Sequence, residues 1–136
     1  MYNHILVPVA IDHEGRGPAM LKVAETLLAE GGKITLLNVN EPVPGYVSQH
    51  IPPEVLSEEA KIVAAALKDL SAMTDKAVET KVARGSPART IVDVGAKLGA
   101  DCIVIASHHP ELTDYLIGST AAWVARHADC GVHIIR

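Results

Sequence analysis

Apolar residues fall along this chain in two rhythms, one continuous and one recurring every three or four positions. Residues 4–10 are almost wholly apolar, the pattern of a strand covered on both faces. Pro8 cannot donate to a ladder, which places it near the strand's end or at a bulge. Residues 12–17 read as a loop, and Pro18 suits a first helical turn. Met20, Val23, Ala24, Leu27 and Leu28 then form one helical stripe, and Gly31-Gly32 is expected to end that helix. Residues 33–40 are a second strand. Residues 41–53 hold four prolines, a glycine and Tyr46 without a simple period, as a loop does. From about Glu54 to Met73 a second helix carries Leu56, Ala60, Val63, Leu67 and Leu70 on one stripe. In residues 76–83, Val78, Thr80 and Val82 alternate with Glu79 and Lys81, as on a half-exposed edge strand. Ser86 is a natural N-cap and Pro87 a natural first residue for a third helix. That helix faces Ile91, Val94, Gly95 and Leu98 inward and stops at Gly99. Residues 101–105 form a fourth strand, a long loop follows, residues 121–127 form a fourth helix, and residues 132–135 a last strand.

Strict alternation of five strands and four helices predicts one α/β domain over residues 1–136, with a mainly parallel sheet, right-handed crossovers and helices on both faces. Two strand orders suit it, the flavodoxin-like one and 3-2-1-4-5. In the second, the end of strand one (Pro8 to Asp12) and the end of strand four (Ala106 to His109) flank a single crevice.

Composition narrows the picture. The chain has 136 residues, 49% of them hydrophobic, enough for a real core and against disorder. Only 3% are aromatic and none is Phe, so the core is built from Val, Ile, Leu and Ala. A formal net charge of −4 argues against a general nucleic-acid binder. No apolar run approaches a membrane span and the start lacks a basic-then-apolar signal, so a soluble cytoplasmic protein is expected. Cys102 and Cys130 have no metal-type spacing and read as buried thiols.

The chemistry concentrates where strand four meets the last helix. A polar loop leaves the strand's carboxyl end, and Gly118-Ser119 opens the helix. Unpaired N–H groups at such a start point at an anion. Read as geometry alone this is a plain strand–loop–helix connection. His108 and His109 are adjacent, so on an extended chain they point apart and do not share one ion; no metal site is expected.

Five short stretches together resemble the universal stress protein family across essentially the whole chain. They are Ile5-Leu6-Val7-Pro8-Val9, Gly85-Ser86-Pro87-Ala88, residues 99–107, Leu116-Ile117-Gly118-Ser119-Thr120, and Arg126-His127-Ala128-Asp129-Cys130. The resemblance implies an open five-stranded parallel sheet of order 3-2-1-4-5, of the adenine nucleotide alpha hydrolase-like type, and a homodimer. Nucleotide-binding members carry Gly-x-x-Gly, nine residues, then Gly-Ser or Gly-Thr. Here Gly118-Ser119 is intact, whereas Ala106 and His109 replace the first two glycines and the spacer is one residue short. Ser107-His108-x-Pro110 before Thr113, Tyr115-Leu116 and Gly118-Ser119 looks like a variant loop found among binders. Ala10 stands where the family usually has Asp near the ribose. Asp12 is positioned to serve that sugar or to cap its own turn.

On this resemblance the cofactor is ATP, with or without magnesium. Its expected contacts are Pro8, Val9, Ala10, Asp12, Val39 (through its backbone), Gly85, Ala106, Ser107, His108, His109, Gly118, Ser119 and Thr120. Arg84 lies near the same mouth, where an exposed Arg is ordinarily solvated. Gly85 is read as a glycine beside the nucleotide and as a turn position for positive φ, and a side chain at Gly118 as standing between the loop backbone and the phosphates, with a positive φ as a second reason for glycine there. The apolar final strand Val132-His133-Ile134-Ile135 is expected to pair with its copy in a homodimer. Three functions follow: an ATP-binding stress or signalling module, a dimeric interaction protein with a degenerate pocket, and a slow ATPase. The chain contains no Walker-type Gly-Lys-Ser/Thr, and a dedicated enzyme is not expected.

Overall fold

A computed structural model describes residues 1–11, 16–42, 44–107 and 117–136. The elements are β1 (Tyr2–Pro8), α1 (Gly17–Leu27), β2 (Leu28–Asn40), α2 (Gly45–Ser48), α3 (Pro53–Ser71), β3 (Ala77–Arg84), α4 (Pro87–Leu98), β4 (Cys102–Ala106), α5 (Ser119–His127) and β5 (Gly131–Ile135). The five strands form one parallel sheet in the order β3-β2-β1-β4-β5. The order reverses between β1 and β4, whose carboxyl ends therefore diverge.

Strand alternation divides the core in two. Ile5, Val7, Val9, Ile34, Leu36, Cys102 and Val104 face Met20, Leu21 and Ala24 of α1 and Leu67 and Leu70 of α3. Leu6, Leu37, Ile103 and Ile105 face Ile91 and Val94 of α4 and Ala121 and Val124 of α5. Both faces of the central strands are dry, which is why their sequences are continuously apolar. Burial and the neighbouring Cys130 and Asp101 push the Cys102 thiol up to about 11. Cys130 is half-buried and shifted in the same direction, burial being the first cause. Both thiols are neutral at pH 7, in keeping with packing roles.

Four local expectations change. The first helix ends at Leu27 rather than at Gly31-Gly32. Leu28 already pairs with Tyr2, and the register shifts before Lys33 meets His4. The two glycines serve that irregularity: Gly31 has φ +79°, and a Cβ on Gly32 would lie 2.9 Å from the Asn3 carbonyl oxygen. The proline-rich stretch contains one helical turn, α2, with the N–H of Val47 donating to the Pro44 carbonyl at 2.9 Å. On α3 only Leu67 and Leu70 are buried and Val63 half-buried, whereas Leu56 and Ala60 are exposed. Ser86 is the N-cap residue of α4, but its side chain makes no capping hydrogen bond.

Candidate functional site

The diverging ends of β1 and β4 open a crevice of about 360 Å³, within the range of small-molecule sites. Pro8, Val9 and Ala10 form one wall, Ile105, Ala106 and Ser107 another, and Leu37, Asn38 and Val39 close it on the β2 side. Met20 and Ile91 supply apolar surface from the two helical layers.

Three helices begin at this crevice. Arg16 is the N-cap residue of α1, Pro87 opens α4, and Gly118 is the N-cap residue of α5; all three line the cavity. Among the described residues, none of the three N-cap residues makes a side-chain capping hydrogen bond. Each helix start carries the equivalent of about half a positive charge. In α5 the first intrahelical bond runs from the N–H of Ala122 to the Gly118 carbonyl, 2.9 Å. The N–H groups of Ser119, Thr120 and Ala121 precede it and have no intrahelical acceptor. The same three residues line the cavity.

Ser107 fixes this helix start. Its hydroxyl oxygen accepts the N–H of Gly118 at 2.7 Å, and its own N–H donates to the Ile135 carbonyl at 2.7 Å. Gly118 itself has φ −55° and ψ 151°, an ordinary extended conformation, so the expected positive φ is not found there. A Cβ there would meet the Ser107 hydroxyl oxygen at 3.6 Å, an ordinary van der Waals contact, so packing within the chain does not itself demand glycine at this point of the cavity wall.

On the opposite side the β1–β2 ladder ends at Pro8 and Leu37. The N–H of Val9 donates to the Leu37 carbonyl at 2.7 Å, so Leu37 directs its backbone groups toward β1. Backbone direction alternates along a strand, so Val39 turns its N–H and C=O to that side too, beyond the last ladder pair. Beside it, Asn38 is only 6% exposed. Its Nδ2 donates to the Val9 carbonyl at 2.9 Å, and its Oδ1 is buried without a donor among the described residues. An unpaired buried acceptor costs about 1–3 kcal/mol.

The expected contacts Pro8, Val9, Ala10, Val39, Ala106, Ser107, Gly118, Ser119 and Thr120 are thus gathered around one cavity. Gly85 is not part of its wall. Its φ of +144° and the collision a Cβ would make with the Thr90 hydroxyl give it a turn role after β3. Asp12, His108 and His109 lie outside the described residues, as do Pro110, Thr113 and Tyr115. Sequence reasoning passed over Arg16 and Asn38. A signal for Asn38 was present, a single amide breaking the apolar run Leu36-Leu37-Asn38-Val39. Arg16 offered none beyond its loop position.

Fold and crevice together define an α/β protein with a crevice at its topological switch point. The universal stress protein family profile matches residues 1–136, and the chain belongs to that family. It is 30% identical over 145 aligned positions to universal stress protein G of Salmonella typhimurium, covering 100% of both chains. Among solved structures it is similar to universal stress protein UspA from Lactobacillus plantarum, with 27% identity, TM-score 0.77 and coverage of 99% of this chain and 98% of that one. A universal stress protein from Archaeoglobus fulgidus, solved in complex with dAMP, shares the fold at 20% identity and TM-score 0.67, with 99% and 98% covered. Another universal stress protein, solved in complex with cAMP, does so at 20% identity and TM-score 0.68, with 99% and 97% covered.

Proposed function

We propose that this chain is an adenine-nucleotide-binding stress or signalling module, that its ligand is ATP with or without magnesium, and that it works as a cytoplasmic homodimer. The observation that carries this reading is the meeting of three helix starts on one crevice, with the N–H groups of Ser119, Thr120 and Ala121 lacking an intrahelical acceptor and suited to an anion. Val39 adds a backbone donor and acceptor at the other side, suited to the edge of a base. The size of the cavity fits a nucleotide's base and sugar, and two related folds were solved with adenine nucleotides. Among the described residues no helix is long and apolar enough to cross a membrane. The described wall supplies no carboxylate or imidazole as a general base, so binding rather than dedicated hydrolysis is proposed, with slow ATP hydrolysis as the most an enzyme assay would show.

Mass spectrometry of nucleotide released from the purified protein by denaturation tests the reading directly. Calorimetric titration with ATP and magnesium is expected to show micromolar affinity, on the order of −8 kcal/mol. A second reading, an interaction dimer with a degenerate pocket, is favoured by Ala10 and Ala106 standing at the wall where binders carry Asp and Gly. Absence of heat at millimolar ATP would select it.

A further inference from the structure

We infer that Asn38 is a specificity-determining residue that reads the exocyclic amine of the bound base; this rests on the adenine-nucleotide reading above. Asn38 lines the crevice and is 6% exposed. Its side-chain amide has one fixed role and one open one. Nδ2 donates to the Val9 carbonyl at 2.9 Å, which sets the orientation of the amide, because a carbonyl accepts from NH2 and not from oxygen. Oδ1 is left as a buried acceptor without a partner among the described residues. Native structures satisfy the large majority of such atoms, and a ligand that satisfies this one brings an N–H or O–H to it.

Position selects the donor. The helix start that suits phosphate lies beyond β4, and Asn38 lies on β2, with β1 between them. Neighbouring strands are about 4.8 Å apart, so the two ends of the site are separated by about 10 Å, roughly the reach of a nucleoside from its 5′ oxygen to the far edge of its base. With phosphate at α5, the base faces Asn38 and the sugar lies over β1. Adenine presents a 6-amino group at that edge. Hypoxanthine and guanine present a 6-oxo group, which would put two acceptors together and leave Oδ1 unsatisfied.

Calorimetry on the full chain compares ATP, ITP, N6,N6-dimethyl-ATP, 2′-deoxy-ATP and inorganic triphosphate. ATP is expected to bind at least tenfold more tightly than ITP or the dimethyl analogue, with 2′-deoxy-ATP within about threefold of ATP, since a site with a polar group left unpaired discriminates strongly. In Asn38→Leu the preference for ATP over ITP is expected to fall below about threefold. The Asn38 side-chain amide signals in NMR are expected to shift with ATP and not with inorganic triphosphate, a readout that needs no variant. Equal binding of ATP and ITP by the wild type would overturn the role of Asn38 and leave the nucleotide reading standing. A loss confined to 2′-deoxy-ATP would overturn it by assigning the acceptor to the sugar. Binding of inorganic triphosphate alone, or of nothing, would remove both readings.

Discussion

The backbone N–H and the hydroxyl oxygen of Ser107 are both tied to other segments, the N–H to Ile135 and the hydroxyl oxygen to Gly118. Ser107→Ala therefore removes the contact that holds the α5 start at the crevice. ATP affinity is expected to fall about tenfold, the size of one net hydrogen bond, and Ser107→Thr to restore most of it in calorimetry. Unchanged affinity in the alanine variant would mean that α5 positions itself. At the other end of the sheet, Asp101 Oδ2 and Oδ1 accept the N–H groups of Asn3 and His4, each at 2.9 Å. Burial acts to raise the Asp101 pKa, but these donations outweigh it and hold the carboxyl below its ordinary value. The folded pKa lies below the unfolded one, so the stabilisation is complete above the unfolded value, about 3.9, and is lost as pH falls through the folded one. Urea midpoints should drop between pH 6 and pH 3 in the wild type and drop less in Asp101→Asn, which is already weaker at pH 6. Parallel curves would place the acid sensitivity elsewhere. Ser107 was legible in the sequence because it sits in a recognisable loop. The Asp101 clamp was not, because it joins residues nearly a hundred positions apart.

At the scale of elements, β5 is the terminal strand of the sheet on its side. The N–H of Gly131 donates to the Asp101 carbonyl and the Ile135 carbonyl accepts from Ser107, so the odd-numbered residues of β5 bond inward. Val132 and Ile134 consequently turn their backbone groups toward the free edge. Under the homodimer reading, Ile134→Pro deletes an outward donor and no inward one, and light scattering should show a monomer at tens of micromolar where the wild type is dimeric, roughly the range of a modest interface. A dimer unchanged in the variant would move the interface off this edge. His133 is exposed on the same strand. The strand and helix order was readable because buried parallel strands and helical stripes have different apolar periods. The end of α1 was not, because Gly31-Gly32 reads as a helix stop in a local window. Its actual use depends on the Asn3 backbone lying against it. The overlong stripe assigned to α3 failed for a similar reason: spacing shows that apolar residues share a face, not that another element covers it.

Over the whole molecule, a ligand that bridges β1, β2 and α5 binds only the folded chain and so stabilises it. Under the nucleotide reading, ATP at a hundredfold above its Kd is expected to add about 2.7 kcal/mol, or about 8 °C in Tm for a domain of this size. A calorimetric scan showing no shift at that occupancy would contradict the crevice as the binding place. The parallel sheet carries one more consequence. All five strands run the same way, so Tyr2 starts β1 at one pole, its hydroxyl beside Gly131 at the start of β5, while Ile135 ends β5 next to Ser107. The seven residues of β1 alone set the poles about 23 Å apart. A polypeptide or dye joined after Arg136 leaves beside the mouth of the crevice, and one joined before Met1 leaves from the far pole. A fluorophore at the carboxyl end is thus placed to report on what enters the crevice, and the same fluorophore at the amino end supplies its built-in control.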